Sequence, residues 1–291
     1  MLEGKAGILY LVATPLGNLE DITHRALRIL SEVDLIAAED TRHTLKLLNH
    51  FQIKKSLISY YQHNERERAD QIVEKILAGA NVALVSDAGM PGISDPGNLL
   101  VAAAIERAIS VVPIPGASAV ITALAASGLD TASFWFVGFL PRKKKDQSMK
   151  LGEMVKFQGT LVFYEAPHRL LATLQNIYQV LGERRIVVAR ELTKIHEEFL
   201  RGSLSQTLEK LSARELKGEF TVLVEGMSQN VKNCQNSTNI DIQNLFQMKI
   251  TNQSSLRDQL KEIAALTGKS TKELYQLYLE TQKKRGGSSS S

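Results

Sequence analysis

The sequence predicts an α/β fold made of two α/β domains with a cleft between them and a small helical element after them. Three observations predict this architecture. Short apolar segments of strand length alternate with amphipathic helical segments across residues 6–228. Pro113, Pro115 and Gly116 divide that stretch into two comparable blocks. A polar, apolar-poor segment at 229–240 then reads as a linker to two short helical patterns.

Composition narrows the possible function classes. Of 291 residues, 44% are apolar and 23% charged, which is typical of a globular chain with about two domains. The single Cys234 excludes an intramolecular disulfide framework, and the six histidines lack metal-ligand spacing, so we expect no metal. Because we find neither a signal-peptide pattern nor a long apolar segment, we expect a cytoplasmic protein without membrane contact. The net charge of +4 permits an acidic partner such as RNA.

The first predicted domain, residues 6–114, alternates strands with helices. Asp21 is predicted to cap the first helix, whose apolar residues between 22 and 33 form one stripe. Since strand and helix alternate throughout, the sheet should be largely parallel. The predicted strands are 8–13, 35–38, 57–60, 82–85 and 111–114, and the helices between them include 44–49, one carrying Ile72, Ile76 and Leu77, and one passing through Leu99 and Ile105.

Polar loops follow three of these strands, at residues 14–18, 39–43 and 86–95. The last of these loops lies within VALVSDAGMPGISDPGN, where glycines allow backbone amides and Asp87 or Asp95 to approach a ligand closely. The loop matches neither the dinucleotide fingerprint nor the P-loop. A tight strand-to-helix connection with its own Asx turns is the alternative. Because the carboxyl ends of parallel strands lie at one sheet edge, a ligand site is expected where these loops meet.

The second predicted domain, residues 115–228, begins with a small-residue helix at 117–126 and continues as a second α/β block. Two such blocks joined at a short hinge predict a cleft between them. The predicted strands are 134–137, 160–165, 185–190, 198–201 and 220–225, and the predicted helices are 151–157, 170–181 and 204–216.

The small helical domain is predicted at residues 241–285, followed by a flexible tail at 286–291. Its first helix carries an apolar stripe through Leu260 and ends at Gly268, and Ser270 with Glu273 forms a capping box for the second. The pair is either a helix-turn-helix-like element or a helical hairpin that docks or dimerises.

Six ordered motifs connect the chain to a known family. The segments YLVATPLGNLEDIT, AAEDTRHT, LVSDAGMPGISDPG, PIPGASA, FYEAPHR and ARELTK closely resemble those of the ribosomal RNA small subunit methyltransferase I proteins. The resemblance covers roughly residues 7–226. It departs mildly at Met90, where a hydroxyl residue is common, and in the length of a basic loop.

The resemblance implies the tetrapyrrole-methylase fold, with S-adenosylmethionine bound in the cleft between two α/β domains. It implies 2′-O-methylation of a cytidine ribose in the decoding region of 16S rRNA, and a homodimer. Ser118 has the alternative role of a helix cap, and Tyr164 that of a core residue. The implied cofactor-binding residues are Leu16, Gly17, Asp87, Gly89, Met90, Ile93, Ser118, Ala119, Tyr164, Ala189, Phe220 and Thr221.

Methyl transfer to a ribose hydroxyl requires alignment of the reacting atoms and a group that takes the hydroxyl proton. Glu165 and Asp40 are the candidate catalytic residues, with His168 also considered. Each has a structural alternative. Asp40 can cap the following helix, and Glu165 can hold Arg169 in an ordinary ion pair.

RNA binding requires cations, and the densest basic run lies at residues 142–145. Its alternative role is that of a solvated loop. Two other functions stay open: a methylase of the same fold acting on a tetrapyrrole or a protein residue, and a non-catalytic RNA-binding ribosome-assembly factor. The candidate contacts to 16S rRNA or the small ribosomal subunit are Arg42, Arg142, Lys143, Lys144, Lys145 and Arg169.

Overall fold

A computed structural model describes residues 6–227, 255–267 and 270–286. The described residues up to Met227 form one compact unit, and those from Ser255 onward belong to a second. The predicted linker at 229–240, Cys234, Gly268 and residues 287–291 of the predicted tail lie outside the described residues. The predicted domain boundary between 114 and 115 lies within the first unit and stays a prediction.

The first sheet has five parallel strands in the order β3-β2-β4-β1-β5. This confirms the predicted parallel sheet and places β2, β4 and β1 side by side, so that their three polar loops leave one edge together. The strands are β1 (Ile8–Val12), β2 (Leu35–Ala38), β3 (Ser56–Ser59), β4 (Val82–Val85) and β5 (Ser110–Ile114).

Helices cover both faces of the first sheet, which explains why its central strands are continuous apolar runs. On one face Leu84 of β4 packs with Ile72 and Leu100, and on the other its neighbour Val85 packs with Leu30 and Leu48. The helices are α1 (His24–Glu32), α2 (Thr41–His50), α3 (Glu65–Leu77) and α4 (Asn98–Glu106).

The cap predicted for the first helix is wrong. Thr23 precedes α1 in extended conformation, and its side-chain oxygen accepts a hydrogen bond from the Ala26 amide at 3.0 Å. Asp21 lies instead in a single 3-10 turn, Leu19–Asp21, whose own N-cap is Asn18. Periodicity placed the apolar stripe correctly, but the extra turn moved the helix start by two residues.

The second sheet has the order β6-β7-β10-β8-β9, in which β6 and β7 are parallel and the remaining pairs are antiparallel. The small-residue helix that precedes it is α5 (Ala119–Ser127). The strands are β6 (Phe134–Phe139), β7 (Thr160–Glu165), β8 (Arg185–Arg190), β9 (Glu198–Ser203) and β10 (Phe220–Val224), and the helices are α6 (Lys144–Gly152), α7 (Pro167–Leu181) and α8 (Leu204–Ser212).

The helix predicted at 151–157 is also wrong, because α6 spans Lys144–Gly152. Leu151 and Met154, both within the predicted range, are buried, yet Met154 lies in the turns that follow α6. Half of the basic run therefore belongs to the first turn of a helix, with its side chains exposed.

The second unit contains α9 (Leu256–Thr267) and α10 (Thr271–Gly286). Leu260, Ile263 and Leu274 form its buried core. The predicted capping box is confirmed, since the Glu273 amide donates to Ser270 Oγ at 3.3 Å and the Ser270 amide donates to Glu273 Oε2 at 3.0 Å. Gly286, the first residue of the predicted tail, is the last residue of α10. Among the described residues, we find no helix with the length and apolar character needed to span a membrane.

The corrected cap predicts a difference between two neighbouring substitutions. Thr23→Ala removes the acceptor of the Ala26 amide and should lower the free energy of unfolding by about 1 kcal/mol. Asp21→Ala, the matched control, should change it by less than about 0.5 kcal/mol. Urea denaturation of both variants measures the effect, and a larger loss for Asp21→Ala would contradict the assignment.

Candidate active site

The three polar loops of the first sheet are joined by hydrogen bonds. Thr14 and Gly89 exchange backbone hydrogen bonds at 2.9 and 3.0 Å, which joins the loops after β1 and β4. Thr14 Oγ1 also donates to the Ser86 carbonyl at 3.1 Å. The third loop joins them because the Asp40 amide donates to Asp87 Oδ1 at 3.1 Å. The strand order thus brings together the loops that the sequence singled out.

Gly89 is required by the geometry of this junction. Its φ of +80° lies in the region that residues with a side chain rarely adopt, and a Cβ there would be 3.4 Å from Leu16 Cδ2. The glycine therefore lets the loop after β4 turn directly against the loop after β1.

A cavity of about 330 Å³ lies within the first unit, between the loops after β1 and β4 and the ends of the second sheet. Its volume is at the lower end of the range for small-molecule sites. Of the twelve residues that the family resemblance implied for the cofactor, nine line this cavity. They are Leu16, Gly89, Met90, Ile93, Ser118, Ala119, Tyr164, Phe220 and Thr221.

The other three implied residues lie just outside the cavity lining. Ala189 is buried in β8 and is paired in register with Thr221. Asp87 receives the Asp40 amide. Gly17 lies under Lys194, whose side chain would clash with a Cβ at that position. Cofactor contact by these three residues stays a prediction.

Sequence reasoning missed several residues of the lining. Asp95, which the glycine-rich loop had already indicated as a ligand contact, does line the cavity, and its neighbour Ser94 could have been included on the same ground. Phe139 lies three residues before the basic run, but an aromatic residue at a strand end carries no specific signal. The missed residues are Ala88, Ser94, Phe139, Ala166, Pro167, Leu192, Gly218 and Glu219.

Carboxylates make one side of the cavity acidic. Partial burial raises the pKa of Asp95 to about 6, with further increases from the nearby charges of Glu39 and Asp87 and an opposing hydrogen bond from Ser86. Burial, followed by the charge of Asp87, likewise raises the pKa of Glu39. Like charges this close favour a bound cation or a retained proton.

Asp40 is a helix cap, the structural role considered as the alternative to catalysis. Its side chain caps α2 by accepting the Arg42 amide at 2.8 Å. The Arg42 guanidinium hydrogen-bonds the same carboxylate, and this contact, followed by the amide, holds the pKa of Asp40 at about 2. Asp40 does not line the cavity. It is therefore an ionised helix cap beside the site, and its catalytic assignment stays a prediction that this geometry does not favour.

Glu165 lines the cavity but is almost fully buried, with 2% of its surface exposed. Its Oε1 accepts the Ala166 amide at 2.8 Å and lies 3.4 Å from Arg169 Nε, while Oε2 accepts the Thr173 hydroxyl at 2.6 Å. Arg169 in turn donates to the carbonyls of Leu140 and Pro141 at 2.8 and 3.2 Å. The predicted ion-pair alternative is thus present, and both oxygens of Glu165 already have donors within the protein.

Tyr164 contributes its ring to the cavity wall. Burial, followed by the charge of Asp95, raises its pKa to about 12, so the phenol stays protonated at neutral pH. Ser118 stands at the N-cap position of α5, but its side chain makes no capping hydrogen bond. Ser118 therefore lines the cavity, and its side chain does not serve the capping role considered for it.

A strap formed by residues 193 and 194 of the second block crosses the loop after β1. Thr193 Oγ1 accepts the Asn18 amide at 3.2 Å, and Lys194 packs over Gly17. The Lys194 ammonium pairs with Glu191 Oε1 at 3.0 Å and Glu219 Oε2 at 2.9 Å. Because Glu219 and Phe220 line the cavity, the strap links both blocks at the edge of the site.

The predicted RNA contacts fall into two groups. Arg142, Lys143, Lys144 and Lys145 are exposed and follow β6, whose last residue lines the cavity. Arg42 is exposed but paired with Asp40, and Arg169 is largely enclosed by its own contacts. The exposed residues 142–145 are therefore the predicted contacts that an RNA could reach directly.

Comparison with protein families identifies relatives of the chain. The family model described as Tetrapyrrole (Corrin/Porphyrin) Methylases matches residues 8–208. The chain is 54% identical over 226 residues to Ribosomal RNA small subunit methyltransferase I of Halalkalibacterium halodurans, which covers 78% of each protein. It is 48% identical over 279 residues to the protein of the same name from Synechocystis sp., covering 95% of this chain and 99% of that relative.

Solved structures share the fold at low sequence identity. The methyltransferase CobJ superposes with a TM-score of 0.58 at 18% identity, over 76% of this chain and 95% of that one. The uroporphyrin-III C-methyl transferase from Thermus thermophilus, complexed with S-adenyl homocysteine, gives 0.54 at 18% identity, over 78% of this chain and 100% of that one. The predicted tetrapyrrole-methylase fold is confirmed.

The raised pKa of Asp95 predicts a stability difference that depends on pH. The pKa of Asp95 in the folded protein, about 6, lies above the ordinary aspartate value of 3.8. Ionising Asp95 therefore lowers the stability of the folded state, and this loss develops between about pH 4 and 6. Asp95→Asn should therefore be more stable than the wild type at pH 7.5, by about 1 kcal/mol after allowance for solvent screening. The difference should vanish below pH 4.

Urea denaturation at both pH values measures this difference. Asp70→Asn is the control, since Asp70 is exposed and only pairs with Arg107 at 3.4 Å. An Asp95→Asn variant less stable than the wild type at pH 7.5 would contradict the proposed cost.

Proposed function

We infer the function of this chain from its family: it belongs to the ribosomal RNA small subunit methyltransferase I proteins, within the tetrapyrrole methylases. We propose that it uses S-adenosylmethionine to methylate the 2′-hydroxyl of a cytidine ribose in the decoding region of 16S rRNA. We further propose that it acts in the cytoplasm and as a homodimer. One observation carries the assignment of the site: five of the six family motifs contribute residues to a single cavity.

The lining fits the proposed cofactor. Leu16, Met90 and Phe220 offer apolar surface for an adenine or a thioether chain, and the backbone around Gly89 offers amides. Asp95 and its acidic neighbours favour the positive charge of a sulfonium or an amino group. When bound, S-adenosylmethionine supplies an electrophilic methyl group.

The chain's own task is to align the ribose hydroxyl and to take its proton. Three cavity-lining carboxylates are available, but Glu165 is paired with Arg169 and Glu219 with Lys194. Asp95 has a pKa of about 6, so it is mostly ionised at neutral pH and still basic enough to accept a proton. We propose that Asp95 accepts the proton and that Glu165, the sequence-predicted candidate, positions Arg169.

The RNA is held by the exposed cations of residues 142–145. Lysine and arginine contacts to phosphate give affinity that falls with salt and carries no sequence information, so this run orients the RNA without choosing the cytidine. Its position immediately after the cavity-lining end of β6 supports this role. The substrate is proposed to be 16S rRNA or the assembled small subunit.

The function is tested by methyl transfer to RNA from cells that lack this protein. Purified chain and labelled S-adenosylmethionine should place label on one cytidine 2′-oxygen of 16S rRNA, identified by mass spectrometry. A Lys143→Ala, Lys144→Ala, Lys145→Ala triple variant should bind RNA more weakly and with a smaller salt slope, by up to about three. The matched control, Lys75→Ala with Lys210→Ala, removes exposed lysines of α3 and α8 and should leave the slope unchanged.

Two outcomes would contradict this function. Cofactor binding without RNA labelling would indicate a methylase acting on another substrate, such as a tetrapyrrole or a protein residue. Absence of cofactor binding would leave only a non-catalytic RNA-binding role. An unchanged salt slope in the triple variant would remove residues 142–145 from the RNA interface while leaving the reaction intact.

The proton acceptor is tested by the pH dependence of the single-turnover rate. In the wild type the rate should fall below about pH 6 as Asp95 becomes protonated. Asp95→Asn should be slower by about 100-fold and lack this acidic limb. Glu165→Gln should be slower but keep it. A limb that persists in Asp95→Asn and disappears in Glu165→Gln would reverse the two roles.

A further inference from the structure

Phe139 is a large apolar side chain that is 56% exposed at the rim of the cavity. Ile93, from the glycine-rich loop of the other block, also lines the cavity and is 48% exposed. The cavity rim thus carries exposed apolar surface from both blocks. Exposed apolar surface beside a polar site is typical of ligand contact.

A β-bulge directs Phe139 toward the cavity. The register between β6 and β7 shifts between Phe136 and Gly138, where Gly138 adopts a φ of +72°. In a regular strand, Phe136 and Phe139 would point to opposite faces. Here both rings contact Tyr164, while Leu140 is buried in the core on the opposite face. The bulge therefore moves an aromatic ring from the core face to the cavity face, as bulges beside active sites often do.

The ring is held in place before any ligand arrives. Its centroid lies 5.7 Å from that of Tyr164 in an edge contact, and Tyr164 makes a second such contact with Phe136 at 5.0 Å. Aromatic pairs of this geometry add stability beyond the area they bury. Phe139 can therefore offer its exposed surface to a flat ligand with little loss of side-chain entropy.

Phe139 is also connected rigidly to the exposed basic run. Only Leu140 and Pro141 separate it from Arg142, and the carbonyls of both accept hydrogen bonds from Arg169 Nη2. Arg169 is itself held by the buried Glu165. The backbone that joins the ring at the cavity rim to the cations beyond it is therefore anchored at two consecutive residues.

An aromatic ring followed by a cationic loop is the combination that binds unpaired nucleotides, with the ring stacking on a base and the cations on phosphates. We propose that Phe139 is the platform on which the base of the target nucleotide stacks when that nucleotide is drawn out of the RNA. The proposal rests on the proposed function and deepens it. Ile93 closes on the base from the other block, and the attached ribose then points into the cavity.

The test compares variants of the full chain in methyl transfer to small-subunit rRNA and in cofactor binding by calorimetry. Phe139→Ala should lower kcat/KM for RNA by about 10- to 100-fold, the range expected for loss of one stacked base. Phe139→Leu should lose a similar factor, while Phe139→Trp should stay within about threefold of the wild type. The affinity for S-adenosylmethionine should stay within twofold in all three.

Phe134→Ala is the matched control, because Phe134 is 40% exposed on the same strand and does not line the cavity. It should leave kcat/KM unchanged. Thermal melting checks that each variant is folded. Unchanged kcat/KM in Phe139→Ala, or a loss matched by weaker cofactor binding, would overturn the platform while the reaction itself stands. Absence of RNA methylation by the wild type would overturn the proposed function and this inference with it.

Discussion

The buried carboxylate of Glu165 is the interaction on which the second half of the site depends. A carboxylate removed from water is costly unless it is paired and hydrogen-bonded, and Glu165 receives the Ala166 amide, the Thr173 hydroxyl and the Arg169 guanidinium. Through Arg169 it also holds the carbonyls of Leu140 and Pro141. One charge at the end of β7 thus organises the start of α7 and the loop that leaves β6.

The first half of the site is organised by backbone hydrogen bonds and carries clustered negative charge. The exchange between Thr14 and Gly89 joins two loops without using their side chains. Burial raises the pKa of both Asp95 and Glu39, and nearby carboxylates add to it: Glu39 and Asp87 for Asp95, and Asp87 and Asp40 for Glu39. Such crowding lowers stability at neutral pH. We interpret it as a cost accepted for binding a cation, in line with the general trade between stability and activity at functional sites.

The strand pattern was predictable because both faces of the first sheet are covered, which requires continuous apolar runs such as 82–85. Local detail was less predictable. A 3-10 turn moved the cap from Asp21 to Thr23, and residues 151–157, although apolar at helical spacing, are mostly turns beside α6. In both cases the burial pattern was right and the backbone geometry was not, since a buried position can be reached from a turn as well as from a helix.

The two α/β blocks, the polar loops at the site and the family to which the chain belongs could be predicted from the sequence alone. These follow from periodicity and from motifs that are contiguous along the chain. The tertiary structure was needed to show that Asp40 caps a helix, that Glu165 is enclosed by donors and that Phe139 faces the cavity. The physical reason is that the local pattern allows two roles each for Asp40 and Glu165, and the packing of distant elements selects between them. The position of Phe139 depends on a bulge, which a strand pattern with a period of two does not predict.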